Sequence, residues 1–217
     1  KERLQYGLFV LEGLRIVEDA LREQSGISHL ILTKQAYERY GSELFQADLS
    51  EARTIVISNE LGNRIASTDT TQGVFAICPI PQKRRMEIVP GGRYIVLFGL
   101  QDPGNVGMII RTADALGLDG AILSGSCELY SPKVVRSTMG SIFRVKTMIE
   151  NDPEKLFALL SEGGARSSAA VIDTDALPVT ECSFEETEAV FIGNEGNGLP
   201  REISQRCDRR VTIPMSG

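Results

Sequence analysis

Arg111, Asn105 and Glu195 are the residues of this chain whose settings point to chemistry. Arg111 follows Val106, Ile109 and Ile110 but lies off the apolar stripe that they form with Ala113 at helical spacing. A guanidinium is a permanent cation, suited to hold a phosphate or a developing oxyanion, though a surface pair with Asp114 at i+3 would also account for it. Glu195 sits inside Gly193-Asn194-Glu195-Gly196-Asn197-Gly198, where packing does not explain a carboxylate. It is either a site residue or a charge placed for the following helix. Asn105 closes the turn Asp102-Pro103-Gly104-Asn105 and reads as a helix N-cap.

Several chemistries are excluded. The loop spacing G-x-x-G-x-G is not the dinucleotide fingerprint, and no Gly-Lys-Ser/Thr makes it a phosphate loop. The single histidine, His29, has no nucleophile or metal-ligand motif around it, so any proton transfer must proceed without a His base. Cys78, Cys127, Cys182 and Cys207 are far apart and read as reduced thiols of a cytoplasmic protein, with no metal site. No run approaches the roughly 20 apolar residues of a membrane span. A formal net charge of −6 argues against bulk nucleic-acid binding but leaves room for a local basic site. The chain begins at Lys1 rather than Met, so an upstream segment is expected.

Alternating elements must position these residues. Residues 94–98 (YIVLF) read as a buried strand, 106–116 as a helix ended by Gly117, and 120–123 as a second strand. This β-α-β unit predicts a parallel sheet, and ligands of such sheets bind beyond the strands' carboxyl ends, where 101–105 would lie. Residues 151–163 read as a helix, 169–172 as a strand, 189–192 as a strand before the glycine loop, and 211–213 as a last strand. Upstream, strands at 7–13, 29–32, 54–57 and 73–78 alternate with helices at 12–24, 34–40 and 60–65. The organisation is therefore a small α/β domain at 1–80, a proline-marked basic linker at 81–92, and a second α/β domain at 93–217. Residues 129–149 contain no acid yet carry Lys133, Arg136, Arg144 and Lys146, with a short helix through Met139 and a strand at 143–148. That window is a candidate phosphate-contacting surface, or an exposed segment whose acids lie on neighbouring elements.

Taken together the motifs resemble those of the SpoU/TrmH-type RNA ribose 2′-O-methyltransferases of the SPOUT superfamily. The family's first motif resembles Gln101-Asp102-Pro103-Gly104-Asn105-Val106-Gly107 through Arg111-Thr112-Ala113-Asp114, and its second Phe191-Ile192-Gly193-Asn194-Glu195-Gly196-Asn197-Gly198-Leu199. The third begins like Val211-Thr212-Ile213-Pro214-Met215. Residues 1–80, with Glu12-Gly13 and Gln72-Gly73, resemble the family's ribosomal-protein-like substrate-binding domain.

The resemblance implies a mostly parallel α/β fold with a carboxyl-terminal trefoil knot, a rare exception to ordinary connection rules. It implies S-adenosylmethionine as methyl donor, held near Gly193, Gly198, Ile213, Met215 and Thr174, with no metal. It further implies Arg111, Glu195 and Asn105 at the catalytic centre, RNA contacts at Lys133, Arg136 and Arg144, homodimerisation through the catalytic domain, and an RNA substrate, ribosomal before transfer RNA. In the family the third motif continues into a helix with a Ser-Leu-Asn signature; the sequence stops at Gly217, and the expectation is that the encoded protein runs on. The rival readings are a non-catalytic RNA-binding module that keeps the scaffold and a small-molecule enzyme on the same sheet.

Overall fold

The structure, a computed structural model, describes residues 2–46, 52–81, 86–184 and 186–214. The basic linker residues 82–85 and Met215 lie outside the described residues. In chain order the elements are α1 (Glu2–Tyr6), β1 (Leu8–Glu12), α2 (Leu14–Arg22), β2 (His29–Thr33), α3 (Lys34–Leu44), β3 (Arg53–Ile57), α4 (Asn59–Ile65) and β4 (Val74–Pro79). They continue with β5 (Arg93–Phe98), α5 (Pro103–Ala115), β6 (Gly120–Ser124), α6 (Pro132–Ser137), β7 (Thr147–Ile149), α7 (Pro153–Glu162), β8 (Arg166–Ala170), β9 (Leu177–Pro178), β10 (Glu188–Ile192), α8 (Arg201–Arg206) and β11 (Arg209–Thr212). Two compact units form: Lys1–Gln82 with Leu129–Arg144, and Lys83–Glu128 with Val145–Gly217. Thus 129–144, contiguous in sequence with the second block, packs with the first unit.

The first unit is a sheet of order β1-β4-β2-β3, with β2 and β3 parallel and the other pairs antiparallel. Period-2 alternation turns Phe9 and Leu11, Leu30 and Leu32, and Val74, Ala76 and Cys78 into one core. The two sequence marks of this unit meet in space. Gly13, at φ 113, precedes α2, and the Gln72 Oε1 accepts the Leu14 N–H at 2.9 Å, capping a helix whose own N-cap has no side chain. Gly73, at φ 70, lies so close to Thr33 that an added Cβ would come within 2.2 Å of its Oγ1. Residues 143–148 do not form the expected strand. Met139 (φ 49) and Gly140 (φ 87) turn the chain into a 3-10 turn, Ser141–Phe143, and only Thr147–Ile149 is extended.

The second unit is a sheet of order β7-β6-β5-β10-β8-β11-β9, with every neighbouring pair parallel. Its central strands are buried on both faces, as β6 shows along its whole length. Phe191 stacks on Phe157, ring centroids 5.3 Å apart, above Val96, Ile122 and Leu156. β10 enters between β5 and β8, and β11 between β8 and β9. Their amino ends are pinned by a buried network. Arg209 Nη2 lies 2.9 Å from Glu188 Oε1, and Arg209 Nε donates to Ser168 Oγ at 2.6 Å. β8 ends at Ala170, two residues before the expected 172, although Val171 N still donates to Val211 O at 2.9 Å.

Candidate active site

β5 and β10 lie side by side with Leu97 opposite Ile192, so the loops that leave their carboxyl ends are neighbours. This brings the turn before α5 against the glycine loop. The expected cap of α5 needs correcting. Asp102, not Asn105, is the N-cap: its Oδ1 accepts from Gly104 N at 2.5 Å and Asn105 N at 3.3 Å, and Pro103 fills the first helical position, where no N–H is required. Asn105 is thereby released from capping. Its Nδ2 donates to Glu195 Oε1 at 3.1 Å, joining the two motifs. At the other end of α5, Gly117 (φ 64) N donates to Asp114 O and Leu118 N to Ala113 O, a Schellman ending.

Glu195 is clasped by the first loop. Asp102 N donates to its Oε1 at 3.1 Å, and Gln101 N to its Oε2 at 3.3 Å. Its own backbone N–H, the Asn105 amide and these two N–H groups hold its carboxyl down to about 2, overcoming the weaker opposing effect of burial. These neutral N–H donors tie the two loops together through the carboxylate, and a carboxyl held this low is poorly suited to take up a proton. Asn194 completes the clasp: its Nδ2 donates to Gly99 O at 2.9 Å and to Glu195 Oε2 at 3.3 Å, while its Oδ1 accepts from Gly196 N and Asn197 N. The Gln101 side chain bridges Gly99 O and Gly125 O at 3.1 and 3.0 Å. Sequence reasoning passed over Asn194 and Gln101. Their signal was position alone, each heading a turn directly after a buried strand.

Arg111 is exposed on α5 and makes no hydrogen bond or ion pair among the described residues, so neither Asp114 nor Glu195 neutralises it. Cys127, whose N donates to Leu100 O, is pushed up by burial and then by Glu195 and Asp102, which disfavours a thiolate. Among the described residues no cluster of His, Cys, Asp and Glu could hold a metal.

The candidate donor residues are distributed around the same edge. Asn194 and Gly198 pair as a small antiparallel bridge, with Gly198 at φ 66. Gly193 is forced by that bridge: an added Cβ would lie 2.2 Å from Gly198 C. Thr174 is exposed just past Asp173, which pairs with Arg210. Ile213 is 67% exposed and Ile172 88%, at the carboxyl ends of the adjacent strands β11 and β8. The candidate RNA contacts belong to the first unit instead. Arg136 donates to Ser67 Oγ and lies 3.9 Å from Glu12, and Arg144 lies 4.0 Å from Glu23. The window lacks acids because the acids are supplied by other elements. Lys133 is exposed with no partner among the described residues.

The second unit is thus a parallel α/β unit whose two strand-end loops are tied through Glu195 and Asn105, with Arg111 on the same helix as Asn105 and without a partner among the described residues. Residues 92–217 match the SpoU rRNA Methylase family, and the chain belongs to it. Residues 1–76 match the MRM3-like substrate binding domain. The 23S rRNA (guanosine(2553)-2′-O)-methyltransferase RlmP of Bacillus subtilis is 28% identical over 218 residues, covering 100% of this chain and 84% of that protein. The 23S rRNA (uridine(2479)-2′-O)-methyltransferase of Streptomyces viridochromogenes is 29% identical over 226 residues, 100% of this chain and 78% of that protein. The solved AdoMet-bound rRNA methyltransferase of Sinorhizobium meliloti superposes with a TM-score of 0.87 at 26% identity, covering 99% of this chain and 81% of that one.

Proposed function

We propose that the protein transfers a methyl group from S-adenosylmethionine to a ribose 2′-hydroxyl of ribosomal RNA. The observation that carries this reading is the Glu195–Asn105 bond, which joins the two strand-end loops at 3.1 Å, with Arg111 on the same helix and without a partner among the described residues. The residues present fit the donor. Ile172 and Ile213 offer uncovered apolar surface for a flat ring, and the exposed backbone of Gly198 is open to close approach; Gly193, Thr174 and Met215, the last outside the described residues, are the further donor candidates. The donor supplies an electrophilic methyl on a sulfonium.

The chain's own residues position the nucleophile. Arg111 holds an RNA phosphate and stabilises the charge that develops on the ribose oxygen. Asn105, its amide nitrogen held by Glu195, presents its carbonyl oxygen to orient Arg111 or the hydroxyl. As the O–C bond forms and the S–C bond breaks, the hydroxyl proton leaves to an RNA phosphate or to water, because neither Glu195 nor a histidine is placed to take it.

Residues 1–80 act as the RNA-recruiting domain, 81–92 as linker and 93–217 as catalytic domain, with Lys133, Arg136 and Arg144 touching RNA. The insertion of β10 and β11 between earlier strands supports a trefoil knot. Exposed Met108 on α5 and Leu116 just after it support a homodimer through the catalytic domain. A cytoplasmic location is part of the same reading; among the described residues no helix is long and apolar enough to cross a membrane.

The test is transfer of labelled methyl by the full-length protein to rRNA and tRNA, with donor binding measured separately. Labelled ribose 2′-O-methyl in rRNA is expected. Label in tRNA alone would change the substrate, and donor binding without transfer to either would leave an RNA-binding module.

A further inference from the structure

Within the first unit, β1, β4, α4 and α6 enclose a pocket of about 160 Å³. Val10, Phe75 and Ile65 line it from the sheet and α4, and Pro132 and Val135 from α6. Val10 and Ile65 are left exposed, although each is a large apolar side chain beside a core. The polar part of the wall is Glu12, Ser67 and Arg136. Glu12 is half-buried, its side chain 8% exposed, and accepts from Ser67 N at 2.8 Å and Thr68 Oγ1 at 2.5 Å, as well as from Ser67 Oγ. Burial raises its carboxyl, but the hydroxyls of Ser67 and Thr68, the Ser67 N–H and Arg136 outweigh that and hold it below the usual range. Arg136 uses only Nη1, toward Ser67 and Glu12; its Nε and Nη2 have no acceptor among the described residues.

We propose that this slot takes one unstacked nucleobase of the substrate RNA, with Arg136 as its polar anchor. The proposal rests on the RNA-methyltransferase reading and adds a base-binding subsite to it. The argument is one of complementarity. The pocket is well below the roughly 300 Å³ of drug-sized sites, so it suits a single ring system. Apolar side chains line it from both the sheet and α6, as the faces of a base require. A phosphate inside would meet the ionised Glu12, whereas a neutral base edge offers N–H groups to that carboxylate and ring acceptors to the spare donors of Arg136. RNA loops and bulges present bases splayed out in this way.

The experiment is methyl-detected NMR of the full-length protein with each of the four nucleoside 5′-monophosphates, using ribose 5-phosphate as the probe without a base. Shifts at the Val10, Ile65 and Val135 methyls are expected from at least one nucleotide and not from ribose 5-phosphate. Arg136→Ala, and Val10→Phe, which fills the slot from an exposed position, should each weaken that binding about tenfold or more. No shift from any nucleotide, an equal shift from ribose 5-phosphate, or undiminished binding in both variants would overturn the proposal. Arg136→Lys provides a second reading should the truncation unfold the unit. Nucleotide binding with donor binding lost would sink the methyltransferase reading and leave the slot; donor binding with nucleotide binding lost would do the reverse.

Discussion

Glu195 and Glu12 are two carboxylates set in similar networks and put to different ends. Each is held below the usual range by amide, hydroxyl or backbone donors, and an arginine, Arg136, adds to this only at Glu12. In the second unit donors to Glu195 come from the opposite loop, and Arg111 has no partner among the described residues. In the first unit Glu12 draws Arg136 to 3.9 Å and, with Ser67, ties α6 to the sheet. A carboxylate satisfied by neutral donors leaves a neighbouring cation its full field for a ligand. One that draws its cation in makes a brace, and keeps only the guanidinium's outward donors for recognition.

The sharpest break in this comparison is Arg111→Ala. It should lower methyl transfer by about 10²–10³, the cost of losing one preorganised donor to a developing oxyanion, with donor affinity unchanged by calorimetry. If turnover survived, the contrast between the two arginines would carry no chemistry. Next comes Asn194→Asp, which sets a second carboxylate against Glu195 Oε2, 3.3 Å from the present amide. Like charges raise one of the pair, so an acid limb should enter the kcat profile that the parent lacks. Asn194→Ala should lower kcat without that limb, which separates positioning from simple loss of stability.

In the first unit, Glu12→Ala takes the acceptor from the Ser67 N–H and the Thr68 hydroxyl and the carboxylate from Arg136, and should cost about 1–3 kcal/mol by denaturant titration with little change in donor binding. The smallest effect is on pH. A carboxyl lowered by folding contributes stability that is complete above its ordinary value of 4.5 and lost as pH falls toward its folded value of about 2. Glu195 should therefore leave stability unaltered from neutrality down to mild acid, and Glu195→Gln should flatten part of the loss seen only in strong acid.

Much of the scaffold was legible in the chain. Strand-length runs such as 94–98 and 189–192 carry their own period, and Pro103, Gly117 and Pro153 punctuate helices by fixed backbone preference. Arg111 and Glu195 stood out because Arg111 lies off its helix's apolar stripe and Glu195 sits within a glycine loop, although a local ion pair or helix charge was open for each. The misjudged places were those where two local rules compete. Asp102 and Asn105 are both good caps, and the bond that decided between them reaches Glu195, 90 residues away from Asn105. For the basic window two readings were open, and the structure supplies acids from other elements, Glu12 and Glu23, which are remote in sequence.

The sequence by itself therefore determined the alternation of strands and helices, the parallel character of the second sheet and the two motif loops, since these rest on short-range periodicity and turn chemistry. Only the tertiary structure decided that β10 lies against β5, that Glu195 grips Asn105 rather than Arg111, and that residues 129–144 pack with the first unit. Those outcomes depend on strand order and on which distant donor reaches a carboxylate first, and neither is encoded in local spacing.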